Sequence, residues 1–125
     1  MTRLEYKIHQ CDDLSYTETV MTDNKPVGDV MARVEGRTAI LRHLRVLTLY
    51  RGEGLNIAFN LYCHMLHWAE LYGIREIITE VVPEDQIDYE RTVSFLEKLG
   101  FQCILETKDS VVKGGTRKFG FFSEL

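Results

Sequence analysis

Leu4, Tyr6 and Ile8 alternate with Glu5 and Lys7, the period of two that lays every second side chain on one face of a half-buried strand. Asp12-Asp13 closes that run. Tyr16 to Thr22, rich in Thr, Tyr and Val, predicts a second strand, and the turn formers Asp23-Asn24-Lys25-Pro26 follow it. Val27 to Glu35 forms a third, with Val30, Ala32 and Val34 on one face, and Gly36-Arg37 reverses the chain. Thr38 to Leu49 predicts a long fourth strand, with Ile40, Leu44 and Val46 on one face and Arg42 as the exception. The short links make these four strands antiparallel.

From Gly54 to Tyr72 the period becomes helical. Two apolar rows, one through Phe59, Tyr62 and Leu66 and one through Leu61, Met65 and Trp68, leave a narrow polar stripe at Asn56, Asn60, His64 and His67. So wide an apolar surface predicts a helix buried on more than one side, lying across a sheet. Gly73 is its C-terminal glycine. Ile74 to Val82 reads as a buried strand, a candidate to run parallel to the fourth because a helix separates them. Pro83-Glu84-Asp85 suits the start of a second helix with Val93, Leu96 and Leu99 inside, and Gly100 ends it. Strands over Phe101–Thr107 and Lys118–Phe122 complete a mixed α/β order that is not doubly wound.

A chain of 125 residues fits a single domain, 1–125, and buries roughly two-thirds of its unfolded surface. Its net charge of −4 argues against a broad phosphate-backbone footprint, so no nucleic acid is expected. The N-terminus lacks the apolar core of a signal peptide and no apolar run is of membrane-spanning length, so no membrane contact and a cytoplasmic location are expected. Cys11, Cys63 and Cys103 are far apart and odd in number, which predicts buried or half-buried free thiols. Cys63, His64 and His67 have no further ligand at a recognised spacing, and no metal is expected.

The chemistry concentrates between Leu44 and Asn56, where the apolar run breaks at Arg51-Gly52-Glu53-Gly54 and a helix begins at once. Glycines let the backbone turn tightly there, and the first helical N–H groups have no partner inside the helix. Such a terminus favours anions, and a phosphate is the natural ligand. The turn lacks the Gly-Lys-Ser/Thr ending of a P-loop, and Gly52-x-Gly54-x-x-Ile57 lacks the third glycine of a dinucleotide fingerprint.

This stretch resembles the GCN5-related N-acetyltransferase (GNAT) superfamily, whose motif reads roughly Leu-x-Val-x-Pro-x-Tyr-Arg-Gly-x-Gly-Ile-Gly. Leu44, Val46, Tyr50, Arg51, Gly52, Gly54 and Leu55 match it without a gap, and Glu97-Lys98-Leu99-Gly100-Phe101 looks like the family's usual ending of the second helix. The resemblance spans about Val27 to Thr107. It implies a mixed, mostly antiparallel sheet of six to seven strands, splayed between strands four and five around acetyl-CoA as co-substrate. Backbone N–H groups over Arg51, Gly52, Glu53, Gly54, Leu55 and Asn56 would hold the pyrophosphate. Val46 and Leu47 would pair with pantetheine and polarise the thioester.

The implied reaction is direct acyl transfer from the co-substrate to an amine of a small molecule or protein. His43, just before the thioester site, is the candidate base. Tyr89 is the candidate replacement for the family's helix tyrosine, because Leu96 stands at that position. Asn56 replaces the last Gly/Ala of the loop, and Thr48 its proline. Only Gln10 to Ser15 joins the first two strands, where the family commonly places two helices. These differences leave an alternative open, a GNAT-like binding or regulatory module with impaired catalysis. Exposure of Phe119, Phe121 and Phe122 would imply a homodimer.

Overall fold

The computed structural model describes residues 3–51, 55–81, 86–107 and 116–122. Two compact units divide the chain, Met1–Ile74 and Arg75–Leu125. The elements are mixed α/β: β1 (Glu5–Cys11), β2 (Ser15–Thr22), β3 (Lys25–Glu35), β4 (Thr38–Val46), α1 (Ile57–Leu71), β5 (Glu76–Val81), α2 (Gln86–Lys98), β6 (Gln102–Thr107) and β7 (Thr116–Phe122). No helix among the described residues is long and apolar enough to cross a membrane.

In the first unit β1 to β4 form an antiparallel meander. Thr22 pairs with Lys25 across Asp23 and Asn24, whose φ values of 50° and 62° are those of the type I′ turn that matches strand twist. The β3–β4 hairpin instead places Gly36, at φ 65°, first in its two-residue loop. No helix intervenes between β1 and β2, which are joined by Asp12–Leu14 alone. The Asp12 carboxylate caps that turn by accepting from the Leu14 and Ser15 amides, and Gln10 donates to it as well.

α1 packs on β2, β3 and β4 through Ile57, Leu61, Met65 and Trp68, a row at helical spacing, with Tyr62 and Ala69 beside it. Burying each large side chain of that row stabilises by roughly 1.5–3 kcal/mol. Burial is narrower than the apolar periodicity implies, since Phe59 of the first apolar row is exposed. The helix ends in a Schellman motif: Gly73, at φ 70°, donates to Glu70, and Ile74 donates to Ala69. All three cysteines are exposed, contrary to expectation, with Cys11 on edge strand β1 and Cys63 on the outer side of α1.

In the second unit β7 lies between β5 and β6, antiparallel to both. Val93 and Leu96 of α2 are buried as their spacing requires. Gly100 donates to Glu97 and Phe101 to Leu96, so α2 ends as α1 does.

β4 departs most from its sequence pattern. Met31 pairs with His43, but Ala32 pairs with Leu41, so Arg42 is an extra residue in a β-bulge. Below it Ala39 and Leu41 face the core; above it the buried residue is Val46. Ile40 therefore does not share a face with Leu44 and Val46, and Arg42 is exceptional because the strand changes parity there. β4 also stops at Val46 rather than Leu49, because Tyr50 N–H bonds the Leu47 carbonyl and closes a 3-10 turn over Thr48–Tyr50.

Candidate functional site

The bulge decides where His43 goes. Regular alternation would turn it toward α1 with Ala39 and Leu41. The extra residue instead puts it on the opposite face, half-buried and directly across from Met31. The next residue on that face, Arg45, forms a two-pronged ion pair with Asp29, with bonds of 3.1 and 2.8 Å. Asp29 also holds the Arg45 guanidinium above its ordinary pKa, first by hydrogen bonding and then by charge. His43 thus sits beside a neutralised pair.

Val46 and Leu47 turn their backbones in opposite directions. Leu47 N–H donates to the Val27 carbonyl at 2.9 Å, so that amide faces β3. By strand alternation the Val46 N–H and carbonyl face the other edge of β4. The Val46 carbonyl accepts from Arg51 Nε–H at 2.8 Å, so the side chain that opens the glycine turn reaches back to the strand end.

Asn56, the residue before α1, adopts φ 51° and ψ 35°, the left-handed conformation, and its side chain makes no capping bond. Its carbonyl accepts the first helical bond, from Asn60 N–H. Asn is among the few residues other than glycine that adopt this conformation readily, so it meets the backbone demand of a loop position where the family has Gly or Ala. Leu55 is half-buried beside it. Gly52, Glu53 and Gly54 lie outside the described residues, as does the side chain of Tyr89. Leu96 is a core residue of α2.

Nearby, Gly28 lets the start of α1 approach the sheet. A Cβ there would lie 2.9 Å from the Arg45 carbonyl oxygen and 3.2 Å from Ile57 Cγ2.

A second polar constellation joins α1 to β2 and β1. Glu18, 2% exposed, occupies the buried row of β2 with Tyr16, Val20 and Thr22. Its carboxylate accepts from the Tyr16 hydroxyl at 2.8 Å and lies 2.8 Å from His64 Nδ1. Burial, and then the bond to Glu18, push the Tyr16 phenol well above its usual pKa. Tyr6 meets the His64 ring edge-on and accepts a bond from Asn60. The polar stripe of α1 therefore faces β1 and β2 at Asn60 and His64 rather than only solvent. The signal was present in the alternation of Tyr16, Glu18 and Val20, which puts a carboxylate on the apolar face. This cluster lies on the α1 side of the sheet, opposite His43, so the two do not form one reacting centre.

No family model matches the sequence, and no curated protein matches it. Solved structures match its fold. An acetyltransferase from Streptococcus agalactiae aligns with a TM-score of 0.72 at 18% identity, covering 86% of this chain and 66% of its own. The PaiA N-acetyltransferase of Thermoplasma acidophilum, solved in complex with coenzyme A, aligns with a TM-score of 0.68 at 17% identity, covering 87% of this chain and 61% of its own. A GNAT family acetyltransferase from Elizabethkingia anophelis, solved with acetyl-CoA bound, gives 0.69 at 8% identity, covering 95% and 97%. This chain spans about two-thirds or less of the first two proteins and nearly all of the third. Shared architecture at such low identity is a matter of fold, and the fold of this chain is that of the GNAT acetyltransferases.

Proposed function

We propose that this chain is an acyl-CoA-dependent N-acyltransferase that moves acetyl from acetyl-CoA to an amine. The observation that carries the reading is the junction from β4 to α1. An outward-facing amide at Val46 is followed within ten residues by an anion-favouring helix start at Asn56. The same fold holds CoA in the Thermoplasma protein and acetyl-CoA in the Elizabethkingia protein. In the proposed step the amine lone pair attacks the thioester carbonyl carbon and the Val46 N–H donates to the developing oxyanion. The C–S bond then breaks, the sulfur leaves as thiolate, and His43 accepts the proton released by the amine. The pyrophosphate is held by backbone N–H groups from Arg51 to Asn56.

Leu96 favours a second reading. It is buried in the core at the position of the family's helix tyrosine, and an aliphatic side chain donates no proton to a thiolate. That reading is a module that binds CoA, or a protein partner, without turnover.

Thermal unfolding with acetyl-CoA, followed by CoA-thiol release across an amine panel, separates the two. Ligand at about 100 times its Kd stabilises by roughly 2.7 kcal/mol. Stabilisation with thiol release supports the enzyme, and His43→Ala then lowers kcat by about 10² or more. Stabilisation without release supports the module. No stabilisation at millimolar acetyl-CoA overturns the acyl-CoA reading.

A further inference from the structure

We propose that Arg51 acts through its side chain as a positioning residue: its Nε–H fixes the Val46–Leu47 peptide and thereby aims the Val46 N–H at the thioester. This rests on the acyl-CoA reading above. The peptide in question is pinned at both ends. Its N–H, that of Leu47, donates to Val27 of β3 at 2.9 Å, and its carbonyl, that of Val46, accepts from Arg51 at 2.8 Å. One bond comes from the sheet and the other from the turn that opens the phosphate loop.

The peptide sits where fixation is needed. β4 ends at Val46, and the Leu47 carbonyl already closes the 3-10 turn through Tyr50 N–H. Beyond Val46, therefore, the ladder of β4 no longer holds the backbone by repetition. A donor to a developing oxyanion is useful only if its direction is set before the reaction, because reorientation during the step forfeits the advantage. The Arg51 bond sets the plane of the peptide adjoining Val46. It also links the loop to the strand, so a shift in one moves the other.

Chain length separates this role from that of a simple cation. Arginine Nε stands four bonds from Cα, and glutamine Nε2 stands at the same place with a donor and no charge. Lysine carries its charge one bond further out and has a carbon at that position. Arg51→Gln therefore keeps the bond without the charge, and Arg51→Lys keeps the charge without a donor at that site.

Both variants are compared with the parent by amide hydrogen exchange at Leu47 and by steady-state kinetics with acetyl-CoA. Positioning predicts that Arg51→Lys speeds Leu47 exchange and lowers kcat, each by about tenfold, with KM for acetyl-CoA little changed. Arg51→Gln then restores kcat and Leu47 protection, with any loss appearing in KM. The reverse pattern, rescue by lysine with failure of glutamine, overturns the proposal, as does Leu47 exchange that is the same in all three proteins. If the parent turns over no amine, the acyl-transfer reading fails by itself, and Leu47 exchange still decides whether Arg51 holds the peptide.

Discussion

Asn56 concentrates two demands on one residue. The backbone must enter the left-handed region before α1, and the position lies at the end of the turn proposed to hold the pyrophosphate. Any Cβ is strained at φ 51°; the short polar side chain of asparagine offsets that strain through local interactions with the backbone, alanine has no such compensation, and glycine has no Cβ to strain. Asn56→Ala is therefore expected to destabilise by about 1 kcal/mol and Asn56→Gly to be close to neutral, read from denaturant midpoints at constant m. With no capping bond to lose, a cost for glycine equal to that for alanine would contradict this account. Acetyl-CoA affinity measured on the glycine variant then reports what the side chain does to the ligand, tighter if it crowds the phosphates and weaker if its amide donates.

At the level of elements, the contact between α1 and β3–β4 places Asn56 and Val46, the two ends of the candidate site. Gly28 admits the first turn of α1 close to the strands, and Gly28→Ala would force a methyl against the Arg45 carbonyl oxygen and Ile57. We expect a cost of about 1–3 kcal/mol, with a loss of acetyl-CoA affinity larger than that of a distant core variant of equal stability, because the displaced segment carries Asn56. Unchanged unfolding midpoints would contradict the close approach. The Glu18–His64–Tyr16 cluster holds the same helix further along. Burying its carboxylate costs free energy that those bonds offset, and they tie α1 to β2 at one position along the helix.

For the whole molecule, the buried phenols of Tyr16 and Tyr62 make stability depend on alkaline pH. Burial pushes the Tyr62 phenol up from 10.0 to about 12, and Tyr16 is raised further still by burial and its bond to Glu18. An unfolded chain releases these protons near pH 10, while the folded chain keeps them. The stabilisation is therefore complete below pH 10 and is lost as pH climbs through about 12 at Tyr62, and beyond it at Tyr16. Each such group contributes a slope of up to about 1.4 kcal/mol per pH unit in that window. Denaturant midpoints from about pH 9 to about pH 11.5 should fall, and Tyr62→Phe should reduce the slope. An identical slope in that variant would exclude Tyr62 as a source.

The elements themselves were legible from local patterns. Alternation located β1 to β3, the Asp23-Asn24 and Gly36-Arg37 turns have the residues that their backbone angles demand, and Gly73 and Gly100 end their helices as expected. The connection between β4 and α1 and the resemblance its residues carry were also evident, because the matching residues, Leu44 to Leu55, lie in one uninterrupted stretch of sequence. What the sequence alone determined is thus the order of elements, their reversals and the family likeness, each set by interactions between residues close in the chain. Only the tertiary structure decided that Arg42 bulges and sends His43 to the face away from α1, that His64 meets a buried Glu18, and that Arg51 reaches back to Val46. Each of these depends on pairing register or on contact between separate segments, and a side chain's partner across a sheet is a property of that register, which local periodicity does not encode.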